Sequence, residues 1–111
     1  MDTIIKSKNN ADCAIACNLG SALFRKRKQT VIHELVEKIM LTTEMEEGYC
    51  FTFNYSEETL FRLAEFIKLE KECCPFFNFS LFSKGNSNTI SLSLEGPEGT
   101  KEFIKYELEM A

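Results

Sequence analysis

Tyr49-Cys50-Phe51-Thr52-Phe53-Asn54-Tyr55-Ser56-Glu57-Glu58-Thr59-Leu60 is the stretch in which the hydrophobic period of this chain changes. Up to Tyr55, aromatic residues alternate with Cys50, Thr52 and Asn54, the two-residue repeat of a strand with one buried face. From Ser56 the pattern is that of a helix start: a hydroxyl residue suited to cap free N–H groups, then Glu57 and Glu58 where the helix dipole favours negative charge. Leu60, Leu63, Ala64, Phe66 and Ile67 follow on one arc at 3.6 residues per turn. Pro75 closes this helix, because it lacks an N–H and disfavours helical backbone at the residue before it.

Working outward, Leu41, Thr43 and Met45 alternate with polar neighbours and Glu47-Gly48 offers a turn, so the aromatic strand is the second arm of a hairpin. Upstream, Ser21 is a suitable N-cap for an amphipathic helix carrying Phe24, Val31, Ile32, Leu35, Val36 and Ile39. Residues 1–20 show weak periodicity and read as an arm. Downstream, Phe77, Phe79 and Leu81, the turn residues Gly85-Asn86-Ser87-Asn88, and Ile90, Leu92 and Leu94 spell a second hairpin. Gly96-Pro97-Glu98-Gly99 then opens a last helix bearing Phe103, Ile104 and Leu108, with Pro97 expected near its first position. The expected fold is α+β: an antiparallel sheet of two β-hairpins packed with helices in the order α-β-β-α-β-β-α, as one domain over residues 1–111.

The 111 residues are 44% apolar and include ten phenylalanines, enough for one core. No apolar run approaches the roughly 20 residues of a membrane span, and the first thirty residues lack the pattern of a secretory signal. A cytoplasmic location and no membrane partner are the expectation. A net charge of −4 disfavours nucleic acid as a partner. The run Arg25-Lys26-Arg27-Lys28 is read as the solvated face of the first helix.

The chemistry concentrates in Glu70-Lys71-Glu72-Cys73-Cys74-Pro75-Phe76. Glu70 and Cys74 fall within the apolar arc of their helix, and a carboxylate there calls for a partner. Adjacent α-carbons lie about 3.8 Å apart, short of the usual disulfide range, so a Cys73–Cys74 bridge would be strained. The odd total of five cysteines and a reducing compartment favour thiols throughout. Thiolates at a helix C-terminus beside Glu70 and Glu72 are disfavoured without help, and a bound cation reverses that balance. Two sulfurs do not complete a tetrahedral zinc site, so Cys17 and Glu70 are the candidate further ligands beside Cys73 and Cys74. Copper(I), mercury(II) and arsenic(III) accept fewer, softer donors and remain alternatives to zinc. His33, the sole histidine, is the weaker ligand choice, and Cys13 and Cys50 read as structural or incidental. The competing reading makes Cys73 and Cys74 small hydrophobes filling a core.

The segment from Glu70 through Phe79, the Gly96-Pro97-Glu98-Gly99-Thr100-Lys101-Glu102-Phe103 stretch, Ala16-Cys17-Asn18-Leu19 and Gly48-Tyr49 together resemble a family of small bacterial proteins marked by E-x-x-C-C-P-F followed by G-P-E-G. The resemblance implies Cys17, Glu70, Cys73 and Cys74 as the positions of interest and supplies no activity.

Three functions follow. The leading one is a cytoplasmic binding protein that captures a thiophilic metal or metalloid ion through vicinal cysteines. The second is a small thiol-dependent enzyme acting on a soft electrophile or organometal, with a buried Glu70 as proton donor. The third is an interaction module, a homodimer through a sheet edge or apolar helix face, whose cysteines are merely packed.

Overall fold

The computed structural model describes residues 22–108. The elements are α1 (Ala22–Val36), β1 (Leu41–Met45), β2 (Gly48–Asn54), α2 (Glu57–Cys73), β3 (Asn78–Phe82), β4 (Thr89–Glu95) and α3 (Thr100–Glu107). This is the expected α-β-β-α-β-β-α order. All strand pairings are antiparallel, and the two hairpins merge into one four-stranded sheet of order β1-β2-β4-β3 through pairing of β2 with β4.

Register decides which face is buried. Tyr49, Phe51 and Phe53 stand opposite Leu94, Leu92 and Ile90, and all six are buried. Val31 and Leu35 from α1, Leu63 and Phe66 from α2, and Phe103 and Ile104 from α3 join them in the core. The opposite face carries Cys50, Thr52, Ser91 and Ser93, and Thr52 and Ser91 share a hydroxyl hydrogen bond of 3.1 Å. The sheet is thus covered by helices on one side, as an alternating pattern with a polar outer row requires.

Ser56 caps α2 as its sequence suggests: its side-chain oxygen accepts from the Thr59 N–H at 3.0 Å. The start of α3 differs from expectation. Pro97 is not in the first turn of that helix; its carbonyl accepts from the Thr100 N–H at 3.0 Å in a preceding turn, and Gly99 supplies the left-handed φ of 95° from which the helix begins at Thr100. No described helix is long and apolar enough to cross a membrane.

Gly48 is required by close approach. A β-carbon there would overlap the Leu94 carbonyl oxygen and crowd the Glu95 α-carbon at 2.8 Å. Both obstacles are backbone of the central strand, so neither can move aside cheaply. Gly48→Ala is expected to cost about 1–3 kcal/mol or more, the range for overpacking, measured as a lowered urea midpoint. An unchanged midpoint would show that β2 re-registers freely.

Candidate metal centre

The last turn of α2 positions the site. Glu70 and Cys73 are its buried residues, and Cys74 is the C-cap, its backbone N–H donating to the Glu70 carbonyl. Pro75 then turns the chain, and the Phe77 N–H donates to the Cys74 carbonyl at 3.2 Å. Phe77 is buried against Phe103, with ring centroids 5.7 Å apart, which pins the segment after the turn to α3. The helix end is therefore fixed on both sides of the proline.

Glu70 and Cys74 are each 0% exposed and Cys73 is 1% exposed. One carboxylate oxygen of Glu70 and the two sulfurs all lie within 4.8 Å of one another. Both Glu70 carboxylate oxygens are fully buried and accept no hydrogen bond. That is an expensive arrangement unless a proton, a cation or a bound ion balances it.

A cation is present, and it comes from the basic run. Lys28 is buried, correcting the expectation that the whole run is a solvated face. Its Nζ lies 2.6 Å from Glu107, 3.5 Å from Glu70 and 3.4 Å from the Cys73 sulfur. The reason is helical spacing. Lys28 falls four residues after Phe24 and three before Val31, on the inward arc, while Arg25, Lys26 and Arg27 fall outside it and are exposed. Arg27 is spent within the protein, forming a bidentate pair with Glu65 of α2 at 2.6 and 2.7 Å. The spacing is legible in the sequence, since of the four consecutive charges Lys28 alone falls within the arc that Phe24, Val31, Ile32 and Leu35 span at 3.6 residues per turn. Glu107, near the end of the last helix, had no such signal.

These groups set one another's protonation. Burial pushes the Glu70 carboxyl well above the ordinary carboxylate value, the neighbouring Glu107 carboxylate pushes the same way, and Lys28 opposes both. For Lys28, burial works against the charged form, yet the Glu70 and Glu107 carboxylates outweigh it and raise the ammonium above its ordinary value. Lys28 stays charged while Glu70 tends to hold a proton.

The sign of the pH effect follows. A carboxyl raised in the folded state favours folding below its ordinary value of 4.5, and that contribution is lost as pH rises through the folded value. Glu70→Gln keeps the shape and removes the titration, so its stability relative to wild type is expected to improve between pH 4 and pH 8 in urea unfolding. A constant difference across that range would show that Glu70 ionises without penalty.

The cysteine expectations divide. Cys50 and Cys73 keep their thiols, whereas Cys74 is disulfide-bonded. The expectation of thiols throughout is thus corrected at Cys74. Strain between neighbours excludes only a Cys73–Cys74 bridge, and an odd number of cysteines is compatible with one bridge elsewhere. Cys17, the expected further ligand, and Cys13 lie outside the described residues. His33 is exposed on α1 and pairs with Glu37 at 3.2 Å, so it stands apart from the cluster. Cys50 is half-buried on the outer row of the sheet.

As a donor set, one carboxylate and two sulfurs suit a soft or borderline ion once both sulfurs are thiolates. Comparisons with protein-family models, with curated proteins and with solved structures returned no match.

Proposed function

We propose that this protein captures a thiophilic metal or metalloid ion in the cytoplasm, using Cys73 and reduced Cys74 as thiolate ligands with Glu70 as the carboxylate donor and Cys17 as a further ligand. The observation that carries this reading is the fully buried Glu70 carboxylate, which accepts no hydrogen bond yet has two sulfurs within the same 4.8 Å cluster. An ion bound there would replace the proton that burial favours on Glu70, and Lys28 would remain paired with Glu107. Zinc(II), copper(I), mercury(II) and arsenic(III) are the ions whose chemistry fits the donors.

A second reading, a thiol-dependent enzyme with Glu70 as proton donor, is favoured by the burial that holds a proton on Glu70 beside Cys73. Cleavage of an organometal with turnover would distinguish it from stoichiometric capture.

The direct test adds each ion separately to fully reduced protein and records native mass spectra. One retained ion per chain is expected, lost in Cys73→Ala and Cys74→Ala and weakened by about 10- to 100-fold in Glu70→Ala, in proportion to a weaker supporting ligand. No cysteine-dependent ion of any kind would refute capture.

A further inference from the structure

Between α1 and α3 the protein has a cavity of about 640 Å³, with Cys73 and Lys28 among its lining residues. Phe24, Ile32 and Val36 of α1 form one apolar wall, and Phe103 with Leu108 form the other. Arg25, Gln29 and His33 stand on its polar side. A bare ion sits between its ligands and needs no such room. The volume falls in the roughly 300–1,000 Å³ range of sites that take small organic molecules, and the mixture of apolar walls with a few polar groups is typical of them. What distinguishes this cavity is its contact with the buried cluster: Cys73 and Lys28 border it, and the Glu70 carboxylate, 3.5 Å from Lys28, belongs to the same 4.8 Å group as the Cys73 and Cys74 sulfurs.

Resting on the ion-capture reading, we infer that the ligand of this site is a monoorganyl derivative of a thiophilic ion, with one apolar organic group in the cavity and two exchangeable positions taken by Cys73 and Cys74. An arylarsonous acid is the simplest member of that class. Its two As–OH bonds break and two As–S bonds form with the thiols. Two waters leave, carrying the thiol protons, and arsenic stays trivalent, so the step consumes no oxidant or reductant. Cys74 is disulfide-bonded in the structure, so a thiol or phosphine reductant must first supply two electrons and two protons to open that bond into two thiols.

The organic group is read out by filling the cavity. Ile32→Trp places an indole on the apolar wall, and Gln29→Trp does so from an exposed position that leaves the core untouched. Affinities for phenylarsine oxide and for arsenite are measured by competition against dithiothreitol, using protein reduced with a phosphine. In both variants phenylarsine oxide is expected to bind at least about 10-fold more weakly, the scale of losing an apolar group's pocket, while arsenite changes by less than about twofold. Equal effects on the two arsenicals, or none on either, would overturn the organic-group inference and leave ion capture standing. Failure of wild type to hold either arsenical through Cys73 would overturn both.

Discussion

Lys28→Met is expected to destabilise the protein by about 3 kcal/mol, near the lower end of the range for breaking a buried ion pair. Lys28 is 7% exposed, and its ammonium lies between Glu107 at 2.6 Å and Glu70 at 3.5 Å. Without it, the buried Glu70 and the half-buried Glu107 face each other with no opposing charge, and folding must keep Glu70 protonated or bury a bare carboxylate. The lower end applies because the α1–α3 cavity lets solvent approach Lys28. A fall in the urea midpoint at unchanged slope would report the loss, and it should shrink at pH 4, where protonation removes the orphaned charge. Lys28→Arg should recover part of it by restoring charge in a bulkier form. A loss below about 0.5 kcal/mol, the scale of an exposed pair, would mean that Lys28 is solvated and holds nothing in place.

The other large effect concerns the thiols. Cys73→Ala should lower ion affinity by at least about 100-fold, beyond the effect of losing a supporting group, because among the described residues it leaves reduced Cys74 as the one thiol beside Glu70. Leaving Cys74 disulfide-bonded should have a comparable effect, since a disulfide sulfur is no thiolate and offers far weaker donation. Titration of reduced and oxidised wild type with mercury(II) or arsenic(III) in the presence of glutathione measures both. The reduced protein should retain one equivalent against the competing thiol and the oxidised protein should surrender it. Equal retention would place the ion elsewhere.

Much of the fold can be read in the sequence because β2 and β4 alternate cleanly and α2 has a marked start. The edge strands β1 and β3, by contrast, are mostly exposed, α3 begins only after Pro97, and Ser21, the expected cap of α1, lies outside the described residues. The change of period at Ser56 is matched by a capped helix, and of the expected inward arc Leu63, Phe66, Glu70 and Cys74 are buried, Leu60 and Ile67 are half-buried and Ala64 is exposed. Pairing of β2 with β4 was not legible, since two hairpins with similar apolar faces can join in more than one order. In the cluster, Glu70, Cys73 and Cys74 are legible because they share one helix end, where local spacing governs distance. Lys28 and Glu107 reach the cluster from residues 45 and 34 positions away from Cys73, and only tertiary packing of α1 and α3 brings them there. Lys28 donates to the Cys73 sulfur at 3.4 Å, which sets a positive charge at the negative helix end where a thiolate would otherwise be disfavoured. The helix dipole calls for a cation beside these sulfurs. The protein already supplies one from its own chain.

The most direct measurement is an arsenic-edge X-ray absorption spectrum of reduced protein loaded with one equivalent of arsenic(III). A shell dominated by sulfur, with an oxygen contribution that disappears in Glu70→Ala and sulfur that falls in Cys73→Ala, is the predicted result. An oxygen-only shell, or a sulfur shell indifferent to Cys73→Ala, would contradict the assignment of this buried cluster as the ion's site.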